Sequence, residues 1–336
     1  MANADSYTTG CVCYWCRFMI AMVVCSLPEN LAVHAVSLVS SDSNETNLVG
    51  VVDLRQSAST LLNRSTTSVL LSNVSFTVCT SPIHGNYYTV SDIVNFIEVN
   101  RIFGAERFIF YFDADTDLSL RDCLESYRDK GIVEMYAFTP PVLEGLHYHG
   151  QIISITECVY RTMYRTKYLI NVDIDEVVVP VKANDWQTML DSIHRRTGEQ
   201  IASYSFQNQF YPLEAPDDPM TSQSSLVMHY NIKSLLKTMK DSYVFPHDQR
   251  SKIMARPERV LIWHVHTILR ENVIRRNDKT YNVTTDDAVL HHYRSWSTKR
   301  HLTRDQRMHR NASLITERVR FGMELCSGID FNLKKS

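Results

Sequence analysis

Apolar residues from position 75 onward fall into two patterns, short continuous runs and stripes at helical spacing, and the two alternate along the chain. Phe76 to Cys79 is a short apolar run that ends in Ser81-Pro82-Ile83-His84-Gly85, which predicts a strand followed by a turn. Ser91 is placed to cap a helix whose Val94 and Ile97 face inward and which Gly104 stops. Arg107 to Phe112 (RFIFYF) reads as a buried strand. Asp117 is a cap for a second helix, with Leu120, Leu124 and Tyr127 on one face and Gly131 at its end. The strand Ile132 to Phe138 follows, then a helical stripe of Ile152, Ile155, Val159 and Met163, and finally the strand Tyr168 to Val172.

Strand and helix in strict alternation imply right-handed crossovers, and so an α/β fold: a Rossmann-like, mainly parallel sheet with helices on both faces. Sheets of this kind bind ligands beyond the carboxyl ends of their strands. The carboxyl-terminal half is less regular. Ile201 to Phe210 and Arg259 to Ile268 read as strands, Tyr211 to Pro219 as loop, and Thr303 to Phe321 as helix.

Composition supports one large domain, since 336 residues with 44% hydrophobic content can bury a sizeable core. A net charge of −2 supplies no field for polyanions, so nucleic acid is not an expected partner. The amino terminus is different in kind. Residues 1–27 carry the uncharged run Phe18 to Leu27 behind Arg17, the pattern of a targeting or signal-anchor segment that meets a membrane. Residues 28–74 form a polar stem or linker, leaving 75–336 as the catalytic domain. Sequons at Asn44, Asn63, Asn73, Asn282 and Asn311 fit a secretory route, with the catalytic domain lumenal in the Golgi or a related membrane. Cys79, Cys123, Cys158 and Cys326 in the body allow two disulfides, with three pairings open, while Cys11, Cys13, Cys16 and Cys25 lie near the expected membrane segment.

The segment NVDIDEVVVP holds the chemistry. Asp173 and Asp175 follow a buried strand two residues apart, so an extended backbone points both carboxylates to one side. Two adjacent negative charges call for a cation. Hard oxygen ligands favour Mn²⁺ or Mg²⁺, and an ion with open positions can also grip a nucleotide diphosphate and neutralise the charge on its departure. Apolar flanks on both sides make an ordinary solvated turn a poor alternative.

At these residues the chain resembles glycosyltransferase family 92. The likeness runs through VCTSPIHG, VNFIEVNRIFGAERFIFYF, YRDKGIVEMYAF, Gln151 to Cys158, NVDIDEVVVP, RSKIMARPERV with Val265 and His266, and AVLHHYR, over about residues 76–300. The resemblance implies a GT-A-type fold, a UDP-sugar donor, and inverting transfer of galactose to a glycan such as an N-glycan bearing core fucose. It implies Asp173 and Asp175 as ligands of the metal and diphosphate, Thr80, Ser81 and Pro82 in the uridine pocket, and Asp113 as a nucleotide contact. His292 is where such enzymes often place a late metal ligand, although a structural histidine fits equally. His264 and His266 fit structure or acceptor binding. Lys299, Arg300, Arg304 and Arg307 belong to a basic run that fits a solvated helix face or a diphosphate contact. Inversion needs a general base at the acceptor hydroxyl, and Glu214, Asp217 and Asp218 are the candidates. Two alternatives stand beside this reading: an inactive glycan-binding relative, which should have lost one of the paired acids, and a metal-dependent phosphoesterase, which should show a second ligand cluster.

Overall fold

The computed structural model describes residues 74–328 apart from 86, 139–149, 199–200, 272–279 and 298–299. Before them it describes only the backbone of four short strands, Ala4–Thr8, Ala21–Cys25, Ala35–Leu38 and Asn47–Gly50, which pair two by two. The expected targeting segment and stem, with their three sequons and four cysteines, otherwise lie outside the described residues. Among the described residues no helix is long and apolar enough to cross a membrane.

The body begins with β1 (Val74–Cys79), α1 (Val90–Ile102), β2 (Arg107–Phe112), α2 (Leu118–Asp129), β3 (Val133–Ala137), α3 (Gln151–Thr162) and β4 (Thr166–Asn171). This is the alternation that the hydrophobic pattern predicts. It continues with β5 (Glu176–Pro180), α4 (Trp186–Thr197), β6 (Ser203–Phe206), β7 (Asn208–Pro212), β8 (Lys252–Ala255), β9 (Thr280–Asn282), β10 (Ala288–Arg294) and α5 (Ala312–Cys326). A seven-stranded sheet forms in the order β9-β6-β8-β4-β1-β2-β3, in which only β8 runs against its neighbours. Both faces are covered. Phe108 and Phe110 of β2 point into the core under α1, α2 and α4, while Ile109 and Tyr111 point into the core under α3. That is why β2 reads as an unbroken apolar run.

Local chemistry shifts several boundaries. Thr89, not Ser91, caps α1, through a capping box with Asp92, whereas Asp117 caps α2 as expected. The run Ile201 to Phe210 is two strands, broken at Gln207, that join different sheets, and Tyr211 and Pro212 are strand rather than loop. Arg259 to Ile268 splits into Val260–Trp263 and a second strand, Ile268–Glu271. The last helix starts at Ala312, after the short strand Leu302–Arg304 and a 3₁₀ turn at Arg307–Asn311. Gly322 lets α5 lie directly on α1 and α2, because a Cβ there would come 2.2 Å from the Tyr127 hydroxyl and 2.7 Å from a Val94 methyl.

Two disulfides fasten the frame, Cys79 to Cys158 and Cys123 to Cys326. The first joins the end of β1 to α3, immediately before the turn of Thr80 to Pro82. The second ties α2 to the end of α5.

Candidate active site

Three parallel strands deliver candidate residues to one edge of the sheet. Thr80, Ser81 and Pro82 leave β1, Asp113 leaves β2, and Asp173 leaves β4. Antiparallel β8 pairs Ile253 with Asn171, which brings Lys252 alongside Asp173. A three-stranded sheet, β7-β10-β5, completes the site, with His292 paired to Glu176 on one side and to Phe210 on the other.

The two acids meet different neighbours. Asp173 Oδ1 accepts a hydrogen bond from Ser81 Oγ at 2.5 Å and a long one from Gln151 Nε2 at 3.3 Å. Its Oδ2 accepts from Lys252 Nζ at 2.8 Å. Lys252 is 1% exposed and also lies 3.3 Å from Glu176, whose Oε2 accepts from the Asp173 backbone N–H. Burial would push the Asp173 carboxyl up, but the adjacent ammonium outweighs it and holds the group down at about 2. Burial pushes Glu176 up to about 7. The same burial would lower Lys252, yet Asp173 and Glu176 keep it above the ordinary lysine range.

Asp175 faces the other way. Its Oδ2 lies 3.2 Å from His292 Nε2, and the opposite nitrogen, Nδ1, is 3.2 Å from Glu176 Oε1 and 2.9 Å from Asn208 Nδ2. The Asn208 amide N–H donates to Nδ1, so the neutral ring carries its proton on Nε2 and donates it to Asp175 Oδ2. A divalent ion that displaces that proton would meet the same two atoms. The observation fits a metal: one hard oxygen and one imidazole nitrogen converge at a side chain that is 25% exposed, backed by hydrogen bonds that orient the ring. Such a donor set suits Mn²⁺ better than Mg²⁺. Both oxygens of Asp173 are already engaged by protein groups, so that carboxylate does not fit a direct ligand in the same way. Among the described residues no three His, Cys, Asp or Glu side chains converge as a ready-made metal cluster, so an ion here would draw its remaining oxygens from a bound nucleotide.

Between α1 and the Asp175 turn lies a cavity lined by Tyr88, Asp92, Asn95, Lys233 and Tyr293. Lys233 Nζ donates to Asp92 at 2.6 Å. Burial, then the charges of Asp175, Asp173 and Glu176, push the Tyr88 phenol far up, so it remains an O–H donor. At the strand ends, buried Thr80 Oγ1 and both polar atoms of the Asn171 side chain have no hydrogen-bonding partner among the described residues.

The remaining candidates are scattered. Asp113 uses Oδ1 within its own turn, accepting from Asp115 N–H and the Thr116 hydroxyl. Asp218 is buried and accepts from the backbone of Met220 and Thr221 and from Thr238. Asp217 pairs with Lys237 at 2.8 Å. Glu214 is exposed and accepts from the Trp296 backbone N–H. His266 is half-buried against the Ser251 carbonyl, and burial lowers it to about 4. Of the basic run, Arg300 lies 3.5 Å from buried Asp241 and Arg307 3.1 Å from Asp305, while Arg304 ends the strand Leu302–Arg304. Lys299 lies outside the described residues.

Lys252 and Asn208 do not stand out in the sequence, and the parts played by Gln151 and Glu176 show only in the structure. Lys252 does leave one faint signal: a lone lysine leading the apolar run Ile253-Met254-Ala255 has to be paired if that run is buried.

Comparison with known proteins places these residues in a family. The model of glycosyltransferase family 92 matches residues 74–322. A beta-1,4-galactosyltransferase of Caenorhabditis elegans is 30% identical over 223 residues, covering 65% of this chain and 47% of the relative, so the chain spans about half the length of that protein. Among solved structures, S. aureus TarS 1-349 with UDP-GlcNAc overlaps 74% of this chain and 66% of its own at a TM-score of 0.34 and 10% identity. Glucosyl-3-phosphoglycerate synthase from Mycobacterium tuberculosis with Mn²⁺, UDP and phosphoglyceric acid overlaps 76% and 80% at 0.31 and 11%. Overlap that loose does not bear on the chemistry of this chain.

Proposed function

Because the chain belongs to glycosyltransferase family 92, we propose that it moves galactose from UDP-galactose to a glycan hydroxyl, with inversion, using a divalent ion held by Asp175 and His292. The observation that carries this is the close approach of Asp175 Oδ2 and His292 Nε2 beside an internally neutralised Asp173. When bound, Mn²⁺ would supply a positive charge for the leaving diphosphate. Asp173, held by Lys252 and Ser81, then serves to hydrogen-bond the nucleotide. The unpartnered Thr80 hydroxyl and Asn171 amide support uridine binding at the ends of β1 and β4, with Ser81, Pro82 and Asp113 at the same edge. The cavity at Tyr88, Asp92 and Lys233 is the room for the hexose. Glu214 is the best placed of the three candidate bases: Asp218 is sealed in hydrogen bonds and Asp217 is ion-paired, whereas Glu214 stands exposed against Trp296.

The purified protein, screened with UDP-sugars and Mn²⁺ against core-fucosylated N-glycan, tests the reading. Transfer from UDP-galactose that EDTA removes and Mn²⁺ restores is the expected result. Binding of the glycan without turnover of any donor would leave a glycan-binding relative instead, and release of phosphate from simple esters would favour the phosphoesterase.

We also propose a lumenal, secretory location, supported by two disulfides within the body and by Asn282, which is exposed on the edge strand β9. Asn311 is half-buried where α5 begins. In secretory expression an endoglycosidase shift that Asn282→Gln reduces is expected, and an unglycosylated cytosolic product refutes the placement.

A further inference from the structure

Aromatic side chains gather beyond His292 on the Asp175 side of the site, away from the strand ends where Thr80 and Asn171 lie. The Trp296 indole is stacked on Phe210, with centroids 4.2 Å apart and planes 21° from parallel, and Phe210 packs 4.8 Å from the His292 imidazole. Phe245 meets Phe210 edge-on at 5.4 Å, and Tyr243, 37% exposed, meets Phe245 at 5.0 Å. An unbroken run of rings therefore leads from the Asp175–His292 pair to the surface.

The indole is fixed rather than free. Its Nε1–H donates to the buried carboxylate of Asp241 at 3.2 Å, and its backbone N–H donates to Glu214 at 3.2 Å. Guanidinium groups border the rings: Arg250 lies 5.6 Å from the centroids of Phe210, Phe245 and Trp296, and Arg300 lies 4.3 Å from that of Tyr243. Arg250 sits in a loop where both it and Asp248 adopt left-handed backbone angles, with φ of 59° and 71°. Side chains rarely tolerate that conformation, and it turns Arg250 outward two residues before buried Lys252 turns in toward Asp173.

We propose that this group, centred on Trp296, is the acceptor subsite, where a pyranose ring of the acceptor glycan stacks on the indole while Arg250 and Arg300 donate to its hydroxyls. The proposal rests on the transferase reading above and adds the acceptor's seat to it. An aromatic face carries negative potential and attracts the weakly positive C–H face of a sugar, and a ring fixed by its N–H hydrogen bond and by stacking on Phe210 loses little freedom on binding. Position selects the acceptor over the uracil. The partnerless Thr80 and Asn171 lie at the β1 and β4 ends by Asp173, while the rings adjoin Asp175 through His292. Glu214 lies against the Trp296 backbone, within the same subsite as a bound hydroxyl would be.

The test compares the intact protein with Trp296→Leu and Trp296→Phe, each checked for folding by thermal melting. Initial rates are measured against core-fucosylated N-glycan and against UDP-galactose separately, with UDP affinity measured by calorimetry. Trp296→Leu should raise the acceptor KM about tenfold, in line with the loss of one good aromatic contact, and leave the donor KM and UDP affinity unchanged. Trp296→Phe should keep most of the acceptor affinity. An unchanged acceptor KM in the leucine variant overturns the proposal, as does weakened UDP binding, which would place the uracil on the rings. If the wild type turns over no UDP-sugar, the transferase reading fails on its own. Saturation transfer from protein to glycan then still decides the subsite: signal in wild type but not in Trp296→Leu upholds it, and equal signal in both, or none in either, overturns it.

Discussion

Asp173 and Asp175 are two residues apart on one turn, yet their surroundings are opposites. Asp173 is neutralised from within, by a buried lysine, a serine hydroxyl and a glutamine amide. Asp175 keeps one oxygen 3.2 Å from His292 Nε2, whose proton a divalent ion can replace. Three acids share this turn and one lysine answers them, so the uncompensated charge falls on the Asp175 side. A paired-acid motif is thus not two equal ligands. One acid is compensated by the protein's own groups, and the other is left for a cation.

The strongest way to break this contrast is to neutralise each acid in turn. Asp175→Asn should lower transfer about a thousandfold, the scale of losing a preorganised electrostatic contact at the leaving group. It should also abolish the rise in activity with Mn²⁺. Asp173→Asn should lower transfer about a hundredfold while the Mn²⁺ response keeps its midpoint, because the ion is held elsewhere. Rates from a Mn²⁺ titration of both variants settle it. Identical loss of the Mn²⁺ response in the two would make the acids equivalent ligands.

Lys252 sharpens the other side of the contrast, through stability. Lys252→Met removes the one cation between Asp173 and Glu176 and should cost about 3–5 kcal/mol, the usual penalty for stranding one partner of a buried ion pair. Adding Glu176→Gln should recover part of that loss, since one stranded charge goes with it. Chemical denaturation of the single and double variants measures both values. A single variant as stable as the wild type would show that Asp173 is not held by this pair.

Much of the frame was legible from hydrophobic periodicity. The strands and helices from β1 to β4 are local patterns, while their order β4-β1-β2-β3, with β4 returning to the far side of β1, is set by pairing between distant segments. The Asp pair was visible for the same reason, as charged residues inside an apolar run. What stayed hidden depends on contacts between distant segments. Lys252 lies 79 positions from Asp173 and reaches it because β8 inserts antiparallel between β4 and β6. Splitting of the 201–210 run at Gln207 sends β7 to pair with β10, and only that pairing sets Phe210 beside His292. The candidate bases were equivalent as loop acids in sequence. Their hydrogen bonds separate them: Asp218 caps backbone amides, and Glu214 meets Trp296. His291 and His292 were likewise a single HH dipeptide, which the alternation of β10 divides between two environments.

That division gives the smallest effect, and a pH dependence. His292 turns to Asp175, while His291 is 1% exposed on the far face, with Nε2 at the Tyr211 hydroxyl and Nδ1 at the Tyr293 hydroxyl, each 2.9 Å away. Burial outweighs the nearby Asp305 and lowers His291 to about 3. An unfolded imidazole takes up its proton near pH 6.5, so between about 6.5 and 3 the unfolded chain binds one proton more at this position than the folded chain does. Stability therefore falls as pH falls through that window, by about 1.4 kcal/mol per unit from His291 once the pH is well below 6.5. His291→Phe keeps a flat ring but cannot titrate, so it should reduce the slope of unfolding free energy against pH by that amount between pH 6 and 4, whatever offset the lost hydrogen bonds impose. Parallel slopes for the variant and the wild type would mean that His291 takes up its proton in the folded protein as readily as in the unfolded chain, and the two faces of β10 would then not differ in the way their contacts indicate.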